Sequence, residues 1–370
     1  MTASIEGAPA LQPSTLLRSV ATSQAAVTVE LERKVSALSS PQAYPHPTSG
    51  VSRIETHFAW VFLTDEFAYK LKKPVVVDVL NLGLLETRAM NCAEEVRLNR
   101  RLAPDVYFGV VPLTLDGDGA LRVDGNGPVA EWLVKMRRLH EHDMLDCAIA
   151  TGAVDPRSLH AVGRTLASFY GRQPGIAFAA GGYRERLARQ VDKDFRALSD
   201  ARLRLSQARV RSLIDEQLAA IEYLATEIGA RAAAGRVVEA HGDLRPEHIC
   251  LSDPPCIIDA LEFSLDLRTL DSLEELAFFC IECEHAGAAW VGASVLDTYR
   301  SGLRDKFTPA LWNFYCSRRA TVRAKIIAWH LLDETLRDAA PWAERAEIYI
   351  SRALRYVLAA GEDRAIAPTI

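Results

Sequence analysis

The period of apolar and polar positions changes along the chain, and the changes predict its elements. IETHFAWVFLT (54–64) and FAYKLKKPV (67–75) are β-branched and aromatic, and only the polar pair Asp65-Glu66 parts them. That is the signature of a β-hairpin. LLETRAMNCAEEVRLNRRLAP (84–104) moves to helical spacing and stops at Pro104. YFGVVPLTL (107–115) and VAEWLVKMR (129–137) read as two further strands, joined by the Gly/Asp-rich turn DGDGALRVDGNG. VELERKVSAL (29–38) has helical spacing, and PQAYPHPTSG breaks it. From residue 142 onward the pattern is mostly helical. RSLHAVGRTLASFYGR (157–172), RERLARQVDKDFRALSD (184–200) and the charged region 206–231 are helix candidates, and 268–360 holds four or five more. In this second half only VVEAHGD (237–243) and CIIDALEF (256–263) look like strands. The fold class expected is α+β in two lobes. Residues 1–27 form a disordered tail, 28–138 a small β-rich lobe with one helix, and 139–370 a larger, mainly helical lobe.

Composition narrows the function classes. Of 370 residues, 49% are hydrophobic and 25% are charged, ordinary for a soluble globular chain with a full core. A net charge of −5 gives no general affinity for nucleic acid. No apolar run approaches the ~18–20 residues of a bilayer span. The Ser-, Ala-, Thr- and Pro-rich N-terminus lacks a cationic segment followed by an apolar one, so it is not read as a signal peptide. Seven cysteines, an odd number, fit reduced thiols and a cytoplasmic location. Cys280 and Cys283 form a lone C-x-x-C in LAFFCIEC and read as helix thiols of the core.

The candidate chemistry lies in HGDLRPEH (241–248) and in CIIDALEF. Asp243 follows a short strand and Gly242, in a turn marked by Pro246. A carboxylate held there can take a proton from a substrate hydroxyl. His241 is placed to brace the turn. Asp259 ends an apolar run and Glu262 follows three residues on. Two acids at such a rim suit Mg²⁺, a hard cation that shares oxygen ligands with phosphates. One acid to orient a nucleophile and another to hold a metal is the division of labour of phosphoryl transfer. The protein-kinase signature has a catalytic Asp, an Asn five residues on and a later metal-binding Asp. Asp243, position 248 and Asp259 have that arrangement.

These motifs resemble the aminoglycoside phosphotransferase and choline kinase-like family, relatives of the protein kinases. HGDLRPEH stands where that family has H-G-D-x-x-x-x-N, IIDALEF where it has an I-D-W/F segment, and LEELAFF resembles its later D-L-A helix. ETHFAWVFLTDEFAYKLKKP, CAEEVRLNRRLAP and EWLVKMRRL resemble a bacterial branch of the family whose substrate is unknown. The resemblance runs from about residue 40 to about residue 335.

It implies a two-lobed protein-kinase-like fold and an ATP-dependent transfer of the γ-phosphate to a hydroxyl of a small molecule, with GTP as the alternative donor. It also implies residue roles. Lys70 resembles the lysine that grips the α- and β-phosphates, and Lys72, on the same strand face, is the alternative. Glu95 resembles that lysine's acidic partner, with Glu94 as the alternative. Asp243 resembles the catalytic base, Asp259 the principal Mg²⁺ ligand and Glu262 a helper through water. Backbone near Met136–Arg138 would meet the adenine. Asp271 and Glu275 share one helix face and would brace the catalytic loop.

Position 248 departs from the family: His248 replaces Asn. Imidazole is softer than a carboxamide oxygen and suits Mn²⁺ better than Mg²⁺. His248 is therefore either a metal ligand of altered preference or a brace for Asp243. IETHFAW also lacks a G-x-G-x-x-G loop, which leaves Thr56 or His57 and the backbone to cover the phosphates. His140 and His142 read as surface residues, and Arg137 and Arg138 as partners in ion pairs. The expected partner is a small hydroxyl acceptor, with neither nucleic acid nor membrane. The rival reading is a catalytically impaired, kinase-like nucleotide-binding or sensor protein.

Overall fold

FAYKLK alternates, and its alternation decides which face of a sheet is core. The computed structural model describes residues 29–77, 80–329, 331 and 340–366, so the expected tail lies outside them. The described chain divides into two compact units. The first holds the residues up to His140 together with Ile257–Ser264, and the second holds Glu141–Cys256 and the residues from Leu265.

The first unit is built on a six-stranded sheet. Its strands are β1 (Ser52–Glu55), β2 (Ala59–Leu63), β3 (Phe67–Lys72), β6 (Tyr107–Leu115), β7 (Leu121–Val123) and β8 (Val129–Arg137), in the order β1-β2-β3-β8-β6-β7. All neighbours are antiparallel. Two short strands, β4 (Val76–Val77) and β5 (Leu80–Asn81), pair beside it. Helix α1 (Leu31–Leu38) contributes Val35 and Leu38 to a core with Tyr44, Phe62, Tyr69, Leu71 and Leu133. Phe62, Tyr69 and Leu71 are fully buried, and each such side chain stabilises the fold by about 1.5–3 kcal/mol over exposure. Slipping β3 by one residue would put Lys70 and Lys72 into that core, so the register is strongly set. The opposite face of β3 carries Ala68, Lys70 and Lys72. There it meets helix α2 (Leu85–Asn99), as the contacts of Glu95 show. Glu131 of β8 ties both helices to the sheet, through Lys34 of α1 at 2.8 Å and Arg88 of α2 at 2.8 Å.

Two local patterns differ from the expectation. IETHFAWVFLT is two strands, not one. The Thr56 N–H donates to Ala59 O at 2.8 Å, and the Thr56 hydroxyl accepts from the Ala59 N–H at 3.0 Å, closing a turn inside the run. The Gly/Asp-rich turn at 116–127 contains β7, whose Leu121 and Val123 reach the core while Arg122 points away.

The second unit is mainly helical. Its first helices are α3 (Leu145–Thr151), α4 (Pro156–Arg172), α5 (Gly182–Leu198), α6 (Gln207–Tyr223) and α7 (Ala225–Ala233). The expected helix over 206–231 is thus two helices that meet at Leu224. Pro156 opens α4, where its missing N–H costs nothing, and the Asp155 carboxylate caps the helix at the Arg157 N–H, 3.0 Å away. Strand β9 (Val237–Glu239) leads to HGDLRPEH, and β10 (Ile249–Cys250) and β11 (Cys256–Ile257) follow it. CIIDALEF is therefore a strand only over its first two residues. A one-turn helix α8 (Leu265–Arg268) precedes β12 (Thr269–Asp271), which pairs antiparallel with β9. Then come α9 (Ser272–His285), α10 (Ala289–Leu303), α11 (Pro309–Trp329) and α12 (Ala340–Ile366). Leu273, Ala277, Phe278 and Ile281 of α9 join Leu311, Phe314 and Tyr315 of α11 and Tyr349, Ile350 and Ala353 of α12 in one core. Cys283 is buried and Cys280 half-buried on α9, so the C-x-x-C belongs to a helix face.

Candidate active-site residues

Lys70 and Lys72 emerge from β3 onto the face that α2 covers. Lys70 Nζ lies 2.9 Å from Glu95 Oε1 and 2.7 Å from Asp259 Oδ1. Lys72 Nζ pairs with the other oxygen of Glu95, and with Glu262 Oε1 at 2.5 Å. Glu95 thus holds both lysines. Glu94, the alternative, turns outward to Arg97 at 2.6 Å. Burial works against each charge, yet the partners win. Burial lowers the Lys70 ammonium, but Asp259 and Glu95 outweigh it and hold it well above the ordinary lysine range. Lys72 is raised in the same way, against burial, by Glu262 and Glu95. Burial pushes the Glu95 carboxyl up, but Lys70 and Lys72 bring it below the ordinary carboxylate range. Lys70, Lys72 and Glu95 are therefore charged at neutral pH. Three carboxylates face two ammonium groups, an excess of one negative charge.

Asp259 is held by its backbone. Its φ is +60°, a left-handed conformation that non-glycine residues seldom adopt. Its N–H donates to the Tyr107 hydroxyl at 3.2 Å, and the next N–H, of Ala260, donates to Asn99 Oδ1 at 2.9 Å. A sparsely populated backbone fixed from two sides is a mark of functional positions. Nothing local in the sequence flags Tyr107 or Asn99, because their partners lie far along the chain. The Asp259 side chain is 42% exposed while Glu95 is fully buried, so solvent reaches Asp259. Among the described residues no three His, Cys, Asp or Glu side chains are grouped to hold a metal by themselves. Mg²⁺ seldom needs such a cage. It uses one or two carboxylates together with substrate phosphates and water. An accessible Asp259 in a cluster of negative excess fits that mode.

Met136 is buried in β8, opposite Ala68 and Tyr107 in the ladder. Arg138 Nη1 donates to Thr64 O at 2.7 Å, its N–H donates to Glu66 O at 2.8 Å, and its charge acts on Asp65. Arg137, His140 and His142 are exposed. The Thr56 hydroxyl serves its own turn.

In the second unit, the loop after β9 depends on Gly242, whose φ of +89° excludes ordinary side chains. Four side chains hold this loop. Glu275 of α9 accepts the Gly242 N–H at 2.8 Å and the Leu244 N–H at 3.2 Å. Arg319 of α11 donates to Gly242 O at 3.3 Å. His241 Nδ1 accepts the Asp243 N–H at 3.3 Å. Burial pushes the Glu275 carboxyl up, opposed by Arg319 and by the two loop N–H groups. His248 Nδ1 donates to Asp243 O at 2.8 Å and lies 3.6 Å from Asp243 Oδ2. Its ring is thus fixed onto the backbone of the residue it was expected to brace or to assist as a ligand. The Asp243 side chain is 31% exposed.

Asp271 and Glu275 do different work. Asp271 caps α9 at the Leu273 N–H, 2.9 Å away, and meets Arg231 at 2.6 and 2.8 Å and the Tyr315 hydroxyl at 3.0 Å. Its carboxylate is taken up by these groups, so it supports the loop only through β12, which pairs with β9. Glu275 makes the direct contacts. Arg319 was not expected. Its one sequence signal is the charge pair Arg318-Arg319, in a helix that also carries Arg323 and Lys325.

No protein-family model matches the chain. Uncharacterised proteins of Mycobacterium tuberculosis and Mycobacterium bovis are 32% identical to it over 282 residues, 74% of this chain and 53% of theirs. The chain spans about half the length of the curated relatives it matches. Among solved structures, a choline/ethanolamine kinase family protein from Mesorhizobium loti superposes with a TM-score of 0.51 at 16% identity, covering 88% of this chain and 98% of its own. The chain therefore has the two-lobed, kinase-like fold of that protein. The resemblance seen in the motifs holds at the level of the fold, and the relatives by sequence are bacterial. No helix among the described residues is long and apolar enough to cross a membrane.

Proposed function

We propose that this protein is an ATP-dependent phosphotransferase acting on a hydroxyl of a small molecule. The observation that carries the reading is Lys70, held charged between buried Glu95 at 2.9 Å and solvent-reached Asp259 at 2.7 Å. A structural ion pair needs one partner. A lysine shared by a buried acid and an accessible acid is arranged to present an ammonium group to phosphate oxygens. The fold adds an analogy: the Mesorhizobium loti protein is named a choline/ethanolamine kinase family protein. Fold alone does not carry activity, so the residues bear the weight.

In this reading Lys70 binds the phosphates of the nucleotide, and Glu95 sets its position. Lys72 neutralises Glu95 and Glu262 and keeps the β3 face charged. Asp259, with Glu262 behind it, would hold Mg²⁺, which when bound supplies charge neutralisation at the phosphates. The Met136–Arg138 backbone meets the base. Asp243 orients the acceptor hydroxyl and takes its proton. His248, fixed by its bond to Asp243 O, keeps that carboxylate in place, with Mn²⁺ use as the alternative consequence of an imidazole there.

Replacement of the usual Asn by His248 and the absence of a glycine-rich loop favour a second reading, a nucleotide-binding protein without transfer. One set of measurements separates the two. The wild-type protein is melted with ATP or GTP, each with Mg²⁺, Mn²⁺ or EDTA, and ATP consumption is then followed over a panel of hydroxylated acceptors. A nucleotide at 100 times its Kd stabilises the fold by about 2.7 kcal/mol. A metal-dependent rise in Tm, lost in Lys70→Ala, is expected. A rise without turnover on any acceptor supports the second reading. No rise with any pair overturns both.

A further inference from the structure

HGDLRPEH leads into a short hairpin that the proposed chemistry does not use. Cys250 ends β10 and Cys256 opens β11, and five residues separate them. Both belong to the second unit. None of the seven cysteines is in a disulfide. These two stand apart from the others because they lie on neighbouring strands: β10 and β11 pair in a two-stranded sheet, and the two thiols are within hydrogen-bond reach. Neighbouring strands lie about 4.7–4.9 Å apart, which allows Cα separations inside the ~4.4–6.8 Å window of a disulfide. The Ser252 hydroxyl donates to Pro254 O at 2.8 Å and lies 3.8 Å from Cys256 Sγ, so the turn is tied next to the pair. The Cys280–Cys283 pair has no such placement, since it stands one turn apart on a single helix.

We infer that Cys250 and Cys256 are a reversible redox-modification site, closing to a disulfide under a peroxide oxidant. The inference stands without the phosphotransferase reading. The chemistry balances with hydrogen peroxide. One thiol is oxidised to a sulfenic acid as the O–O bond breaks and one water leaves. The second sulfur then displaces the sulfenic oxygen, which departs with both remaining protons as a second water, and the S–S bond forms. Two thiols are oxidised and one peroxide is reduced to two waters. The bond clamps the five-residue turn within the segment that runs from His248 to Asp259. Both residues are buried, Cys250 at 1% and Cys256 at 7% exposure. The reaction therefore waits on small openings of the hairpin and is slower than at a surface thiol.

The test uses the full wild-type chain. Trypsin spares the Arg245–Pro246 bond, so both cysteines fall in one peptide, residues 237–268. The native protein is treated with graded hydrogen peroxide, unfolded in N-ethylmaleimide, digested and weighed. The expected product is the 237–268 peptide lighter by two hydrogens and free of maleimide. It should grow with peroxide dose and revert in dithiothreitol, while Cys283 and Cys316 still take up maleimide. In Cys250→Ser, Cys256 should instead advance to sulfinic acid, because its resolving partner is gone. Two maleimides on the wild-type peptide at doses that oxidise the methionines overturn the proposal. So does a cross-link from either cysteine to a different one.

Discussion

Asp243 shows how little at the residue scale separates a structural acid from a chemical one. The carboxylate itself is ordinary. What sets it apart is that its N–H, its C=O and the N–H groups on both sides are each engaged by His241, His248 or Glu275, while the carboxylate stays accessible. Asp243→Asn keeps the shape and removes the proposed base. Turnover should fall about 10²–10⁴-fold, while the Tm rise with ATP and metal stays as in wild type. Retained turnover would remove Asp243 from that role.

Glu95 carries the pH dependence. Its carboxyl sits below the ordinary range in the folded chain, so the fold gains stability from it above the unfolded value of about 4.3. That gain is lost as pH falls through the folded value. Urea titrations of wild type and Glu95→Gln should differ clearly at pH 6, and the difference should shrink steadily towards pH 3. A constant difference over that range would mean that the Lys70–Glu95–Lys72 pairing contributes nothing through charge. Asp243 stood out in the sequence because it lies in the short pattern HGD, whereas Glu95, with Glu94 as alternative, was singled out only through the family resemblance. The sharing of Glu95 by both lysines was not legible there. One acid was weighed against one lysine, and only α2 lying across β3 shows that the single carboxylate has two oxygens for two partners.

At the scale of elements, α9 is the piece that holds the loop 241–248. It is buried over nearly its whole length, so its acids are present for a reason other than solvation. Glu275→Ala would orphan the Gly242 and Leu244 N–H groups, each costing about 1–3 kcal/mol when buried without a partner. The loop should loosen as the fold weakens. Hydrogen exchange at residues 242–244 should rise well beyond the average of the second unit, and Glu275→Gln, which keeps one acceptor oxygen, should restore part of the protection. Uniform exchange across the unit would show that Glu275 stabilises the fold and not the loop. Asp271 and Glu275 both stood on the expected face of this helix. The choice between them depended on Arg231, which lies in α7 and claims Asp271. Helical spacing identifies a face but not its neighbours, and for the same reason the 206–231 helix was expected to run through Leu224.

At the scale of the molecule, buried charge holds distant parts of the second unit together. Arg231 of α7 pairs with Asp271 before α9 and with Asp305 after α10, at 2.6 and 2.8 Å. All three are almost inaccessible to solvent. Removing one member of such a group leaves uncompensated charge, at a cost of about 3–5 kcal/mol. Arg231→Ala should shift the urea midpoint of the protein by that amount, with the slope unchanged, whereas Arg184→Ala, whose pair with Glu222 is exposed, should leave it within about 1 kcal/mol. Equal shifts would mean that burial adds nothing to the Arg231 pairing.

The sequence by itself determined the broad division into a β-rich part and a mainly helical part, the face of β3 that carries the lysines, and the two acidic motifs. These are properties of period and of local turn chemistry, written within a dozen residues of one another. It also determined the class of fold, since the motifs follow in an order that the kinase-like architecture shares. Tertiary structure alone decided the pairings. It put Glu95 between Lys70 and Lys72, turned Asp259 through a left-handed backbone pinned by Tyr107 and Asn99, gave the loop to Glu275 and Arg319, and set Cys250 against Cys256. Each of those contacts depends on which surfaces pack together. A hydrogen bond or an ion pair holds only at contact distance, and packing sets that distance between residues that sequence spacing does not relate.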